Sequence, residues 1–175
     1  MFFIRRLVRN TAIHLVEPTG HLSGELEVRN LSWSADSLGV QPRPANFADT
    51  EQHLTLARAD IIFAAYGFNE SFAGKEGVAA FKEKLTSYVA DLKTKAFNGK
   101  TAARIVLVSP IANENIKGVR AADLNNSNIK LYTTVIKQVA ASQDTGYIDA
   151  YSRTEEAMAS PGEDLTINGV HLNGK

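Results

Sequence analysis

The chain has 175 residues, of which 44% are hydrophobic, and its 19 basic residues balance 19 acidic ones. This length suits a single domain, and the balanced charge gives no electrostatic reason to expect binding to nucleic acid or to an anionic membrane surface. The sequence contains no cysteine, which excludes disulfides, thiolate metal sites and a cysteine nucleophile.

The first residues, MFFIRRLVRN, are expected to form neither an export signal nor a central strand. Their arginines follow the apolar residues, whereas a secretory signal has the opposite order and a longer apolar core. Arg5 and Arg6 are adjacent, so in a strand they would point to both faces of the sheet. The longest apolar run, IIFAAY, is far shorter than the roughly 20 residues of a membrane-spanning helix. The sequence predicts neither the cellular compartment nor the oligomeric state.

The first part of the chain is predicted to contain two strands, a loop and a short helix. ELEVRNLSW (25–33) alternates apolar and polar residues, which is typical of a strand. Two prolines in GVQPRPANF (39–47) indicate a loop. DTEQHLTLAR (49–58) predicts a short helix that begins at its first or second residue. The continuous apolar run of DIIFAAYG (60–67) predicts a strand covered on both faces.

Two longer helices, two strands and a short helix are predicted in the second part. Residues 75–97 carry an apolar stripe at helical spacing, and the NGK that follows supplies a stop. RIVLVSP (104–110) predicts a buried strand, and residues 123–142 carry a second helical stripe. A short strand (146–151) and a short helix (153–159) follow. The first stripe is expected to face the sheet through Phe81, Leu85, Tyr88 and Leu92, with Lys82, Glu83, Lys93 and Lys95 in solvent.

The alternation of strands and helices predicts an α/β fold, a three-layer α/β/α sandwich with a mainly parallel central sheet. Residues 1–175 are expected to form this one domain. Right-handed crossovers place the carboxyl ends of parallel strands at one edge, and ligands of such sheets bind there. The segments expected at this edge are NLSWSADS (30–37), GFNES (67–71), SPIANEN (109–115) and INGVHLN (167–173).

Together these four segments resemble the sequence blocks of the SGNH (GDSL-type) hydrolase family, and they are closest to SGNH-like domains of large planctomycete-type proteins. The resemblance covers residues 25 to 173. It implies a hydrolase that cleaves a carboxylic ester by acyl transfer, with an acyl or acetyl group on a carbohydrate as one such ester. The implied partner is a small-molecule or carbohydrate ester, with no cofactor and no metal.

The resemblance implies an oxyanion hole built from two loops. GFNE matches the family's Gly-x-Asn-Asp block, so Asn69 is the implied side-chain donor to the developing negative charge. Ala35 stands where the family usually has glycine and would donate its backbone N–H, although alanine disfavours positive φ. A simpler interpretation is that Asn69 only closes a turn by bonding its own backbone. Glu70, in place of the aspartate, is expected to hydrogen-bond neighbouring loops.

NGVHLN matches the family's late Asp-x-x-His block and makes His171 the implied general base. Asn168 replaces the aspartate. Its amide oxygen cannot stabilise an imidazolium by charge, but it can accept the Nδ1 proton and hold the ring. Asp164 is an alternative orienting group, and a simple cap in a C-terminal loop is the alternative role of His171. The remaining histidines have no such context and are expected at the surface: His14, His21 and His53.

The family's nucleophile block, Gly-Asp-Ser, is not matched anywhere in the chain. LVRNTA (7–12) is the candidate in the corresponding place, which implies Thr11 as the nucleophile. Ser32, Ser34 and Ser37 are further hydroxyl candidates. The N-terminus is therefore expected to be incomplete or diverged, and the C-terminus to be short relative to the closing helix of the family.

Three departures favour an alternative, a non-catalytic ligand-binding or structural module of the same fold. They are the missing Gly-Asp-Ser, Ala35 for glycine and Asn168 for aspartate. A flavodoxin-like nucleotide or flavin binder shares the sheet order, but no glycine-rich phosphate loop follows a predicted strand. Separately, no histidine pair has the spacing of metal ligands. The sequence thus predicts Asn69, Ala35 and His171 around one depression at the sheet edge, with weak or no esterase activity.

Overall fold

The computed structural model describes residues 2–7, 25–117, 121–160 and 162–174. Within them, the strands are β1 (Phe2–Leu7), β2 (Glu25–Asn30), β3 (Ile61–Ala65), β4 (Arg104–Val108) and β5 (Gly146–Ile148). The helices are α1 (Thr50–Leu56), α2 (Phe68–Ser71), α3 (Val78–Lys93), α4 (Ala122–Ser142) and α5 (Ala150–Met158). The strands and helices predicted from residue 25 onward are all confirmed, and the short α2 is an addition.

The described strands form one sheet in the order β2-β1-β3-β4-β5. β3, β4 and β5 pair in parallel, whereas β1 is antiparallel to both of its neighbours. β2 therefore runs in the same direction as β3, and the carboxyl ends of β2, β3, β4 and β5 share one edge. This confirms the predicted α/β class, with a mainly parallel sheet flanked by helices.

β1 lies between two strands, so the expectation that this segment would not form a central strand was wrong. Its pairing with β3 involves only residues 2–4. Arg5 and Arg6 lie beyond that pairing and align with β2 alone. The adjacent arginines thus occupy the part of the strand that pairs with a single partner.

Burial alternates along β3 and β4. Ile62 and Leu107 are fully buried, and they belong to one apolar cluster with side chains of α1, α3 and α4. Ile61 and Val106, on the opposite face, are only half-buried. In the described part of the chain, therefore, the core lies against one face of these strands. This differs from the prediction that strand 60–67 is covered on both faces.

α3 is shorter than the predicted range 75–97, because Gly74–Gly77 forms a 3-10 turn ahead of it. Its predicted inner face is buried or half-buried, as expected, and consists of Phe81, Leu85, Tyr88 and Leu92. The charged residues predicted in solvent are exposed, except that Lys95 is half-buried between the carboxylates of Glu51 and Asp91.

The connection from β2 to β3 also approaches the carboxyl edge. Asp49 accepts a hydrogen bond from Gln52 N at 2.7 Å, and Gln52 Oε1 accepts one from Asp49 N at 2.8 Å. This reciprocal capping box begins α1 where the sequence predicts it. Thr50 donates a hydrogen bond to Gln41 at 2.7 Å, which ties the helix to the proline-containing loop 39–47.

Candidate active site

A cavity of about 350 Å³ lies at the carboxyl edge of the sheet. All four segments that the sequence places at this edge contribute to its lining, through Trp33, Asn69, Pro110 and His171 among others. Ala35 does not line the cavity itself, but it belongs to the turn whose residues Trp33 and Asp36 do. The sheet thus brings Asn69 and His171 into one depression, although they are far apart in sequence.

The corner after β3 requires glycine and is fixed by a carboxylate. Gly67 has φ 109°, and a Cβ there would lie 3.0 Å from Ile136 Cδ1. Glu70 accepts hydrogen bonds from Gly67 N at 2.8 Å and from Leu38 N at 2.6 Å. This confirms that Glu70 joins neighbouring loops, and it leaves the side chain of Asn69 directed to the cavity edge.

Two neutral donors belong to this corner and to the loop that it contacts. Asn69 Nδ2 donates a hydrogen bond to Asp36 O at 2.8 Å, so one of its two N–H groups remains for a ligand. This bond crosses to the neighbouring loop, unlike the local turn closure considered from sequence. Ala35 has φ 65°, the left-handed conformation that favours glycine. Within the described residues, its N–H makes no hydrogen bond.

His171 is exposed, and its ring is held by Asn168. Asn168 Oδ1 lies 3.0 Å from His171 Nδ1 and also accepts a hydrogen bond from His171 N at 3.1 Å. Because this oxygen only accepts, Nδ1 carries the proton and Nε2 keeps the lone pair that a general base needs. The backbone carbonyl of Asp164 accepts a hydrogen bond from Asn173. The His171 ring nitrogen thus contacts Asn168, which lies where an orienting group is expected.

The buried carboxylate of Glu114, in the segment that the sequence places at the carboxyl edge after β4, holds the loop that carries His171. Glu114 accepts hydrogen bonds from Leu165 N at 2.8 Å, from Thr166 N at 2.7 Å and from Thr166 Oγ1 at 2.5 Å. Burial opposes its ionisation, but these three hydrogen bonds lower the pKa of Glu114 below its usual value. Glu114 N also donates to Gly169 O at 2.8 Å. The buried Glu114 therefore anchors the His171 loop to the segment after β4.

The candidate nucleophiles are not equally placed. Thr11 lies outside the described residues. Ser32 lines the same cavity as His171, whereas Ser37 pairs with Val40 in a short antiparallel bridge and does not line it. Ser34 does not line it either. Spatial proximity to His171 therefore favours Ser32 among the serines of its segment.

The described ranges offer neither a metal cluster nor a membrane-spanning helix. Within residues 2–7, 25–117, 121–160 and 162–174, no cluster of three or more acidic or histidine side chains could hold a metal ion. No helix in these ranges is long and apolar enough to cross a membrane.

Comparison with known proteins gives one family match and several similar folds. The chain matches the model of the GDSL-like lipase/acylhydrolase family over residues 13–175. No curated protein matches it. The acetylxylan esterase Axe2 from Geobacillus stearothermophilus aligns with a TM-score of 0.52 and 18% identity, over 70% of this chain and 56% of that one. The acetyl xylan esterase AlAXEase aligns with a TM-score of 0.51 and 16% identity, over 67% and 61% of the two chains.

The chain spans little more than half the length of these two esterases, and similarity at this level of identity establishes a shared fold alone. The family match begins two residues after Thr11, so that candidate nucleophile lies outside it. The match nevertheless covers nearly the whole chain and includes all four segments that meet at the sheet edge. The chain therefore belongs to the GDSL-like lipase/acylhydrolase family.

Proposed function

We propose that this chain hydrolyses a carboxylic ester, an acyl or acetyl group carried by a carbohydrate. The observation that carries the proposal is the shared cavity of Asn69 and His171, in which Asn168 holds His171 through Nδ1. The two structural neighbours are named as acetylxylan esterases, which supports an acetylated sugar as the substrate class.

In the proposed reaction a hydroxyl group attacks the acyl carbon while its proton moves to His171 Nε2. The carbonyl oxygen becomes an oxyanion, which the free N–H of Asn69 and the N–H of Ala35 stabilise. The intermediate collapses, and the sugar oxygen leaves with the proton from His171. Water then attacks the acyl-enzyme, giving its proton to His171, and the hydroxyl takes that proton back as the acid is released.

The proposed machinery has weaknesses that predict a low rate. Asn168 is neutral, so it cannot stabilise by charge the imidazolium that forms when His171 takes the proton. The candidate nucleophiles are Thr11 and Ser32. We propose Ser32 as the better of the two to test, because it lines the cavity with His171.

Acetate release from acetylated xylooligosaccharides tests the proposal. Asn69→Ala should reduce kcat by about 10² to 10³, because one oxyanion donor is lost. Ser32→Ala and Thr11→Ala tested separately should identify the nucleophile, since only one of them should abolish turnover. The exposed Glu156→Gln, in α5, serves as the control variant. Activity that survives Asn69→Ala unchanged would contradict the proposed oxyanion hole.

A non-catalytic ligand-binding module of the same fold is the second candidate. Its supporting observation is that the group holding His171 is Asn168, a neutral amide where the family has an aspartate. In this case acetylated and deacetylated oligosaccharides should both bind, with no acetate released by the wild-type chain.

A further inference from the structure

We infer that a second cavity, adjoining the one with His171, binds the sugar ring to which the ester is attached. This second cavity has a volume of about 410 Å³ and shares Ser32 and Trp33 with the first. The assignment deepens the proposed function and rests on it, because it names the part of the substrate that leaves when the ester is cleaved. A ring bound there would lie beside the candidate catalytic groups.

Three aromatic rings line the second cavity. Trp33 is 51% exposed and Phe47 is 45% exposed. Their ring centroids are 6.0 Å apart, and the His53 ring lies 5.3 Å from that of Phe47. Exposed aromatic side chains that meet at a cavity mark a binding site more often than isolated ones do. Their π faces suit the C–H face of a sugar ring, which is apolar while its edge carries hydroxyls.

Trp33 is held in position before any ligand arrives. The Arg43 guanidinium carbon lies 5.2 Å from the Trp33 ring centroid. Arg43 in turn donates two hydrogen bonds to the two carboxylate oxygens of Asp36, at 2.6 and 2.8 Å. Trp33 N donates to Asp36 Oδ2 at 3.1 Å. The ion pair therefore fixes both the backbone and the ring of Trp33, which reduces the entropy that binding would otherwise cost.

The polarity of the second cavity favours a neutral ligand with hydroxyl groups. The charge of Arg43 is balanced by Asp36, and the Asp49 carboxylate caps α1 through Gln52 N. In the described part of the chain, neither the His53 ring nitrogens nor Asn30 Nδ2 make a hydrogen bond, so they are available to a ligand. An acyl chain would leave these polar groups unpaired, whereas sugar hydroxyls would pair with them.

Fluorescence titration with unacetylated xylohexaose tests the inference, because Trp33 is the only tryptophan of the chain. The emission of Trp33 should change with a saturable dependence on xylohexaose. Phe47→Ala and His53→Ala should each weaken binding by about tenfold. The control Leu124→Ala, which removes a 68% exposed side chain that lines neither cavity, should bind as the wild type does.

Replacing Trp33 removes the fluorescent reporter, so a second measurement tests the role of this residue. In ¹H–¹⁵N NMR spectra, Trp33→Leu should keep the dispersion of a folded chain and lose the shifts that xylohexaose causes in the wild type. The inference would be overturned if xylohexaose caused no saturable change. It would also be overturned if hexanoate bound in its place, or if Phe47→Ala and His53→Ala bound as the wild type does.

Failure of this inference can be told apart from failure of the proposed function. Hydrolysis of a small aryl ester without xylohexaose binding would keep ester hydrolysis and overturn the sugar site. Binding of xylohexaose without any ester hydrolysis would support the sugar site and refute the catalytic proposal.

Discussion

Replacing Glu114 by glutamine should loosen the loop that carries His171 and destabilise the fold. The carboxylate accepts three hydrogen bonds from Leu165 and Thr166. A glutamine side chain of the same size offers one oxygen in place of two, and its NH₂ group would face an N–H donor. At least one buried backbone N–H would then lose its acceptor.

The size of the stability loss caused by Glu114→Gln follows from the number and kind of these hydrogen bonds. A hydrogen bond to a charged group contributes about 1.5–3 kcal/mol, and a buried donor left without a partner costs about 1–3 kcal/mol. We therefore expect Glu114→Gln to lower the free energy of unfolding by about 2–4 kcal/mol at neutral pH. For a chain of this size the melting temperature should fall by roughly 5–15 °C.

The same reasoning predicts how the stability difference between wild type and Glu114→Gln depends on pH. Since folding lowers the pKa of Glu114, its stabilisation is fully present above the ordinary glutamate pKa of about 4.3. It is lost as the pH falls through the lower pKa of the folded state. Glu155, whose pKa is lowered mainly by its hydrogen bond with Lys130, titrates in wild type and variant alike, so its effect cancels in the difference.

Urea unfolding followed by circular dichroism, at pH 7 and below pH 4, measures both effects. Glu156→Gln is the matched control, because it removes an exposed carboxylate from α5. The wild-type advantage over Glu114→Gln should be large at pH 7 and should shrink in acid. An unfolding free energy for Glu114→Gln within about 0.5 kcal/mol of the control at pH 7, the usual range of surface substitutions, would refute the anchoring role.

Two further predictions concern backbone conformation at the site. Gly67→Ala should lower the free energy of unfolding by about 3 kcal/mol, because φ is 109° and the new Cβ would meet Ile136. Gly99→Ala, with φ 76° and open space around it, should cost only about 1 kcal/mol, and thermal melts of both variants measure the difference. Equal losses would contradict the steric argument. Ala35→Gly should raise stability by up to about 1 kcal/mol, because glycine accepts φ 65° without strain, and a clear loss of stability on thermal unfolding would argue against it.

Local sequence patterns predicted much of the fold. The stripe of α3 was readable because helical spacing depends only on near neighbours, and Asp49 or Thr50 was predicted to begin α1. The place of β1 was not readable. Its pairing with both β2 and β3 depends on partners distant in sequence, and two adjacent arginines argued against it.

The candidate site was predictable where a family block supplied the pattern. Asn69 and His171 were found through their blocks, and the bond from Asn168 to His171 joins residues only three apart. Glu114 was expected at the sheet edge, but its anchoring contacts were not predicted, because Leu165 and Thr166 lie 51 and 52 positions further along the chain. No local pattern marks such a contact.

The second cavity was missed for a related reason. His53 was expected to be an ordinary surface histidine, and Trp33 to be a packing residue or a pocket wall, with no relation between the two. Their relation depends on Phe47, which contacts both rings from the proline-containing loop. The composition of that loop predicts that it is irregular, but it does not predict which rings it brings together.

The initial rate of 4-nitrophenyl acetate hydrolysis, compared between wild type and His171→Ala, tests the central claim most directly. The cavity of Asn69 and His171 should give the wild type a low rate with repeated turnover, and His171→Ala should reduce that rate to the level of buffer alone. Glu156→Gln should keep the wild-type rate. Repeated turnover at the wild-type rate in His171→Ala would contradict the account, because the general base would then lie elsewhere.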